Sequence, residues 1–413
     1  MPIDAGATAW VLTASALVLF MTPGLAFFYG GLVRGKNVLS TIMHSFMAMA
    51  VISVVWVLWG YSLAFAPGNE FIGDFSFAGF RNVDGAAYDI AGVVAPIPHV
   101  AYAIFQLMFA IITPALITGA FAERFKFSTY LVFLVLWVSF VYAPIAHWVW
   151  SGNGWLFGIG ALDFAGGTVV HINAGVAAVA AAWLVGKRRG VDRGVVPHNV
   201  PYVVLGASIL WFGWFGFNAG SALNANYQAL NAFLVTNTAA ATAALVWALI
   251  SWIHTKKPGA VGAASGAVAG LVAITPASGY VGPLGALAIG FGAGSLCYVA
   301  VQIRARTKVD DALDVFAVHG VGGVFGALAT GVFAAVAFSG LTPPAGVGAI
   351  DGHPGQMWAQ LRGVVATFGY SFVVSFAILK LLDVIPGLGL RVNDKDEDAG
   401  LDFALHGERG YSE

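Results

Sequence analysis

Two histidines stand in stretches otherwise built for lipid: His171 in "DFAGGTVVHINAG" (163–175) and His319 in "DVFAVHGVGG" (314–323). A neutral imidazole offers one hydrogen-bond donor and one acceptor, so two facing rings can pass a proton or hold a small polar molecule. An ionisable group inside a membrane is costly and by default faces a polar cavity or a partner. A bond to a neighbouring helix would satisfy a lone histidine; a second histidine in a corresponding stretch favours a facing pair. Asp163 lies eight residues before His171. It suits a helix N-cap, its carboxylate accepting from the free amides of the first turn at the favourable end of the dipole. Direct attraction of a cation is compatible with that role. Counted along a helix from Asp163, His171 falls about 12 Å down, deep in the hydrocarbon layer. A metal centre is the rival use of these histidines, but no HExxH, cysteine pair or His/carboxylate cluster supplies a third ligand.

Aromatic residues form a second set. Phe105 and Phe109 are four apart and share a helix face, as do Trp214, Phe217 and Ser221 in "WFGFNAGS". Trp150 ends an apolar run at an interface. With 31 phenylalanines in the chain, packing or an interfacial aromatic belt is the ordinary reading of any such stripe. Aromatic faces also bind cations, most strongly when desolvated, and spacing does not choose between the two.

The elements that must position these residues follow from composition. The chain of 413 residues is 59% apolar and 9% charged, against about 25% charged in an ordinary soluble protein, and its mean hydropathy is +0.82. These values describe an all-α polytopic membrane protein. A net charge of −1 offers no field for nucleic acid, and the single Cys297 excludes an intramolecular disulfide. The first basic residue is Arg34, so no basic region precedes an apolar core as a signal peptide needs, and Met1 onward is read as mature. Runs of about 20 apolar residues suffice to cross the hydrocarbon core. Eleven transmembrane helices are predicted, at 7–32, 42–66, 97–121, 128–150, 163–186, 199–221, 229–253, 259–276, 283–303, 312–337 and 360–385. Arg and Lys concentrate in the odd-numbered loops, as in "KRRGVDR" after the fifth span, while the even loops hold Arg81 and acids such as Glu70, Asp84 and Asp351. The positive-inside rule then predicts an external amino terminus and a cytoplasmic carboxyl terminus.

An odd span count suggests two inverted five-helix repeats, about 7–186 and 199–337, with 360–385 as one extra helix. Ile112-Thr113-Pro114 in the third span matches Ile274-Thr275-Pro276 in the eighth, and the fifth span's Asp163 and His171 match the tenth's Asp314 and His319. The domain reading is a transmembrane unit of 1–385 and a polar tail of 386–413.

The runs "DFAGGTVVHINAG", "DVFAVHGVGG", "WFGFNAGSA", "GAFAERFKF", "SGAVAGLVAITPASGYVGP" and "GLDFALHGERGY" resemble the ammonium transporter (Amt/Mep/Rhesus) family, specifically its prokaryotic Amt branch. The resemblance covers nearly the whole chain. It implies the ammonium transporter fold, a homotrimer with one pore per subunit, and transport of ammonium, with methylammonium as an analogue, across the cell membrane. By position, the outer recruitment site falls on Trp150, Phe109 and Ser221. A stacked phenylalanine gate falls on Phe109 and Phe217, the pore histidines on His171 and His319, and the essential acid on Asp163. Phe105, Trp214 and Thr275 match further lining positions. The family also implies a PII signal protein docking at the cytoplasmic tail, no enzyme activity and no cofactor. One departure is visible: "SGNGWLFGIGALD" after Trp150 is one residue longer than the branch's loop. Selection by dehydration is the implied mechanism: an apolar pore penalises intact ions by several kcal/mol, and ammonium, unlike potassium, can leave its proton behind. A non-conducting receptor and a Rhesus-like ammonia gas channel are the alternatives.

Overall fold

The structure is a computed structural model that describes residues 2–340 and 348–411; Met1, 341–347 and the last two residues of the predicted tail lie outside the described residues. Helices dominate it. In chain order they are α1 (Ala5–Leu32), α2 (Gly35–Phe65), α3 (His99–Phe121), α4 (Phe127–Trp137 continuing to Ala143–Trp150), α5 (Gly167–Val185), α6 (Val200–Gly220), α7 (Tyr227–Thr255), α8 (Ala260–Ile274), α9 (Pro283–Arg304), α10 (Phe316–Phe333) and α11 (Gln356–Val384). Two short tail helices follow, α12 (Asp394–Ala399) and α13 (Leu401–His406). Between α2 and α3 an antiparallel hairpin, β1 (Ala87–Ile90) and β2 (Val93–Pro98), closes one end of the molecule.

Among the described residues ten helices are long and apolar enough to cross a membrane. The eighth predicted span is the exception. Its helix α8 has 15 residues, about 22 Å at 1.5 Å each, because Pro276 brings no N–H to continue the ladder. The chain goes on as a turn over 275–280, of which Thr275 and Ser278 are fully buried. Non-helical backbone at membrane depth is tolerated when protein surrounds it. The matched Ile-Thr-Pro runs therefore end differently: α3 continues through Pro114, while α8 stops before Pro276.

Among the described residues four π turns interrupt the helices: Trp56–Gly60, Val138–Tyr142, Gly167–Ile172 and Phe316–Gly320. Such turns widen the helix by one residue per cycle and recur at functional sites. The last two contain His171 and His319. They also correct the expected depth of His171: the helix starts at Gly167, not Asp163, so the histidine sits in its first turn. Gly166 makes this entry with φ 120°, a conformation that only glycine adopts freely.

At the end opposite the hairpin, buried charge ties the loops together. Glu123 accepts from the Arg34 backbone amide (2.6 Å) and from its guanidinium (2.6 Å). Asp310 takes a fork from Arg188 at 2.8 and 2.9 Å, and the Arg124 guanidinium donates to the Asp310 carbonyl at 2.6 Å. The tail is pinned to the same loops. The buried Glu397 accepts from the Arg189 amide (2.6 Å), Arg391 donates to the Val185 carbonyl (3.0 Å), and Asn37 and Asp402 cap each other's helices, accepting from Leu401 N and Ser40 N at 2.8 Å.

Candidate functional site

Three cavities lie in line between the two ends. The first, about 890 Å³, opens beside the hairpin and is lined by Phe105, Phe109, Trp150, Asp163 and Ser221 among others. Its floor is aromatic. Phe109 meets Phe105 edge-on at 4.9 Å, Trp150 edge-on at 5.7 Å and Phe217 at 4.4 Å between ring centroids. The Phe109 and Phe217 rings are tilted by 47° rather than stacked as expected; they come from crossing helices α3 and α6, and tilted contacts suit the ring quadrupole better than a face-to-face sandwich. At 1% and 0% exposure they leave no open passage below. The Ser221 hydroxyl, just past the end of α6, donates to the Phe217 carbonyl at 2.8 Å and keeps its lone pairs free to accept from a cation. Trp150 is held over this floor by its indole N–H, which donates to the Asp163 carbonyl at 2.9 Å. The loop after it carries the short helical turn Trp155–Gly158.

The Asp163 carboxylate faces protein, not the cavity. It accepts from the amides of Gly166 (2.8 Å), Gly167 (2.6 Å), Thr168 (2.8 Å) and Val169 (3.2 Å), and from the Thr168 hydroxyl. The free amides that open α5 are thus satisfied by one side chain that is 6% exposed. Geometry favours the capping role over direct capture of a cation.

Beneath the aromatic floor, His171 and His319 meet with their Nδ1 atoms 3.2 Å apart and their rings within 27° of parallel. A hydrogen bond between two Nδ1 atoms needs one to carry the proton and the other to accept, so the rings hold opposite tautomers. The close meeting depends on two glycines. A Cβ on Gly175 would lie 2.4 Å from the Gly320 amide nitrogen, so no larger residue lets α5 and α10 approach this far. Trp214 stacks on His171 at 5.3 Å and donates its indole N–H to Thr275 Oγ1 at 2.8 Å, which places Thr275 in support of the lining. Among the described residues the His171 Nε2 has no partner. The space here is about 10 Å³, walled by Ile112, Leu116, Val170, Trp214, Phe217 and both histidines; that is close to the minimum for one water-sized molecule. His319 also borders the third cavity, about 590 Å³, lined by Lys187, Arg188, Arg304, Asp310 and Asp314 at the tail end.

The sequence reading mispaired one residue and missed another. Asp314 is not the counterpart of Asp163: it carries a positive φ of 59° and binds Arg304 at 2.6 Å. Asp311 fills that place, accepting from the amides of Val315 (3.1 Å) and Phe316 (2.8 Å) that open α10. Its spacing to His319 is eight residues, the same as Asp163 to His171, and that equality was the available signal. Burial, with a smaller push from Asp314, raises the Asp311 carboxyl to about 6. Next to it, burial alone would raise Asp310, but the Arg188 fork and Arg124 outweigh it and hold the group at about 2.

Comparison with known proteins bears on the same chain. The family model described as Ammonium Transporter Family matches residues 9–411. A protein named ammonium transporter from Bacillus subtilis is 48% identical over 409 residues, covering 99% of both chains. Among solved structures, Mep2 of Saccharomyces cerevisiae superposes with a TM-score of 0.89 at 41% identity, covering 96% of this chain and 89% of Mep2. A structure described as a sensor Amt protein superposes at 0.86 and 33% identity, covering 97% and 98%.

Proposed function

Because the chain belongs to the Ammonium Transporter Family, we propose that it recruits ammonium at the aromatic cavity, strips its proton, and passes ammonia along the histidine pair. The observation that carries this reading is the succession of a wide aromatic mouth, an aromatic floor, a single-molecule space bounded by two hydrogen-bonding imidazoles, and a charged cavity that His319 also borders. Each part has a physical task. Trp150 and Phe109 present ring faces to a cation, and Ser221 presents a hydroxyl acceptor. The floor of Phe109 and Phe217 forces dehydration, which an alkali ion cannot survive. Ammonium can cross it by releasing a proton, and the neutral molecule then finds a donor and an acceptor at His171 and His319. The proton is left to water in the mouth, and in the large charged cavity beyond, ammonia takes up a proton from the water there. Asp163 acts by holding the turn that aims His171.

The subunit sits in the cell membrane with the aromatic mouth outside and the tail in the cytoplasm, works as a homotrimer, and offers the tail to a PII signal protein. Two inverted halves meet at the histidines, as the matching aspartate caps and π turns of α5 and α10 support.

An ammonium pulse on purified protein in proteoliposomes tests the reading, with current and internal pH recorded with and without a pH gradient. Flux that is saturable, absent for potassium and lost in Asp163→Ala is expected. Current marks net charge transfer; ammonia flux without current marks Rhesus-like gas conduction. Binding of methylammonium with neither signal would make the protein a receptor and overturn the transport reading.

A further inference from the structure

The extra helix α11 reaches the site through one residue that neither the sequence motifs nor the mechanism used. Gln360 is 3% exposed, and its amide uses every hydrogen-bonding position it has. Its Oε1 accepts from Leu162 N at 2.7 Å and from Gln356 Nε2 at 3.2 Å. Its Nε2 donates to the carbonyls of Leu162 and Ala327, both at 2.8 Å. Leu162 is thus gripped at its N–H and its C=O, as by a neighbouring strand, in the residue immediately before Asp163. Ala327 belongs to α10, the helix of His319. One side chain therefore fixes the entry to the Asp163 cap against the helix that bears the other histidine.

We propose that Gln360 is the positioning residue for the Asp163 cap, and through it for the alignment of His171 with His319. The cap needs such a fix. Asp163 sits in non-helical chain and must place two oxygens on four successive amides at once; a shift of about 1 Å is enough to cost orders of magnitude in a reaction that depends on placement. Of the other links of α11, Gln356 Nε2 donates to the Gly160 carbonyl at 2.8 Å and braces Gln360 on the same segment, whereas Ser371 Oγ donates to the Asn173 carbonyl and Ser375 Oγ accepts from the Trp137 indole, both away from the cap.

This inference rests on the transport reading for its consequence but not for its test. In Gln360→Met, hydrogen exchange at the amides of 166–169 accelerates at least tenfold, while Ser375→Ala, which loosens the same helix at its other end, leaves that segment unchanged. Methylammonium flux in proteoliposomes falls about tenfold in the first variant and stays at the parent level in the second. Combined with Thr168→Val, which removes the hydroxyl donor to Asp163, Gln360→Met loses less than the product of the two single losses, as residues acting on one group do. Should Gln360→Met fail to fold, Gln360→Glu keeps the acceptor facing Leu162 N, loses both donors, and gives a smaller acceleration at the same amides. Unchanged exchange at 166–169, or equal acceleration in Ser375→Ala, overturns the proposal. Because exchange is read without transport, a silent parent protein would sink the transport reading and leave this result standing.

Discussion

At the scale of single residues, the site separates tasks that the sequence motifs ran together. Trp150 is a ring over a mouth, held at its N–H by the Asp163 carbonyl. On the proposed recruitment role, removing the ring removes a cation–π contact of about 1 kcal/mol. Trp150→Leu should therefore raise the half-saturation concentration for methylammonium about fivefold and leave the maximal flux within about twofold; a fall in maximal flux with unchanged half-saturation would contradict the recruitment role. His171 does something different. It is the polar wall of a space of about 10 Å³, and on the proposed mechanism ammonia would cross without it with fewer hydrogen bonds, at a cost of about 1–3 kcal/mol. His171→Leu should lower maximal flux about 10- to 100-fold at nearly constant half-saturation, measured by stopped-flow on proteoliposomes. Asp163 and Asp311 are alike in capping and unlike in setting: the first caps the entry to α5 beside the mouth, the second the entry to α10 at the tail end.

At the scale of elements, the loops at the tail end are organised by buried ion pairs whose titration has a definite sign. Asp310 is held at about 2, below its ordinary 3.8, so its contribution is present above pH 4 and disappears as pH falls towards 2. Asp311, raised to about 6, runs the other way: the folded state prefers its protonated form, and stability is lost as pH rises from 4 to 6. The melting temperature of the parent protein in detergent should therefore drop steeply below pH 4. In Asp310→Asn it should be lower at pH 7, where Arg188 loses its partner, and should vary less below pH 4; a steep acid limb retained in that variant would show that another group controls it. The π turns belong to this scale too. They let one helix carry a histidine towards the axis without a break in the span, and Gly175 against Gly320 lets two such helices touch.

At the scale of the whole molecule, the tail is part of the folded unit. Two kinds of contact hold it. Arg189 reaches Asp394 and Asp398 in exposed pairs at 2.8 and 2.9 Å, of a kind that solvent screening leaves worth little. Glu397, 1% exposed in its side chain, accepts from the Arg189 amide at 2.6 Å and is held in place by Arg391, whose guanidinium also donates to the Val185 carbonyl at 3.0 Å; removing a buried charged partner costs more than breaking an exposed pair. Limited proteolysis of residues 386–411 should accordingly speed up far more in Glu397→Gln than in Arg189→Ala. Equal rates in the two variants would mean that the reciprocal caps of Asn37 and Asp402 govern tail docking instead.

Much of this protein is written along the chain. Hydropathy and the placement of Arg and Lys laid out the spans, since a helix must satisfy its own backbone in lipid and the length of an apolar run reports it directly. The motif runs identified the family, and the resemblance supplied the residues proposed for the mouth and pore. Tertiary structure decided what depends on approach in space. Local sequence does not reveal that α8 stops at Ile274 while α3 runs through Pro114, because a proline ends or merely bends a helix according to what surrounds the freed carbonyls. It does not show that the Asp163 oxygens turn inward to amides, or that Asp311 rather than Asp314 mirrors it. Nor could it pair Gln360 with Leu162, 198 residues away, or bring His171 to 3.2 Å from His319. Those distances are set by packing between helices, and a periodic pattern carries the face of a helix but not the identity of the neighbour that covers it.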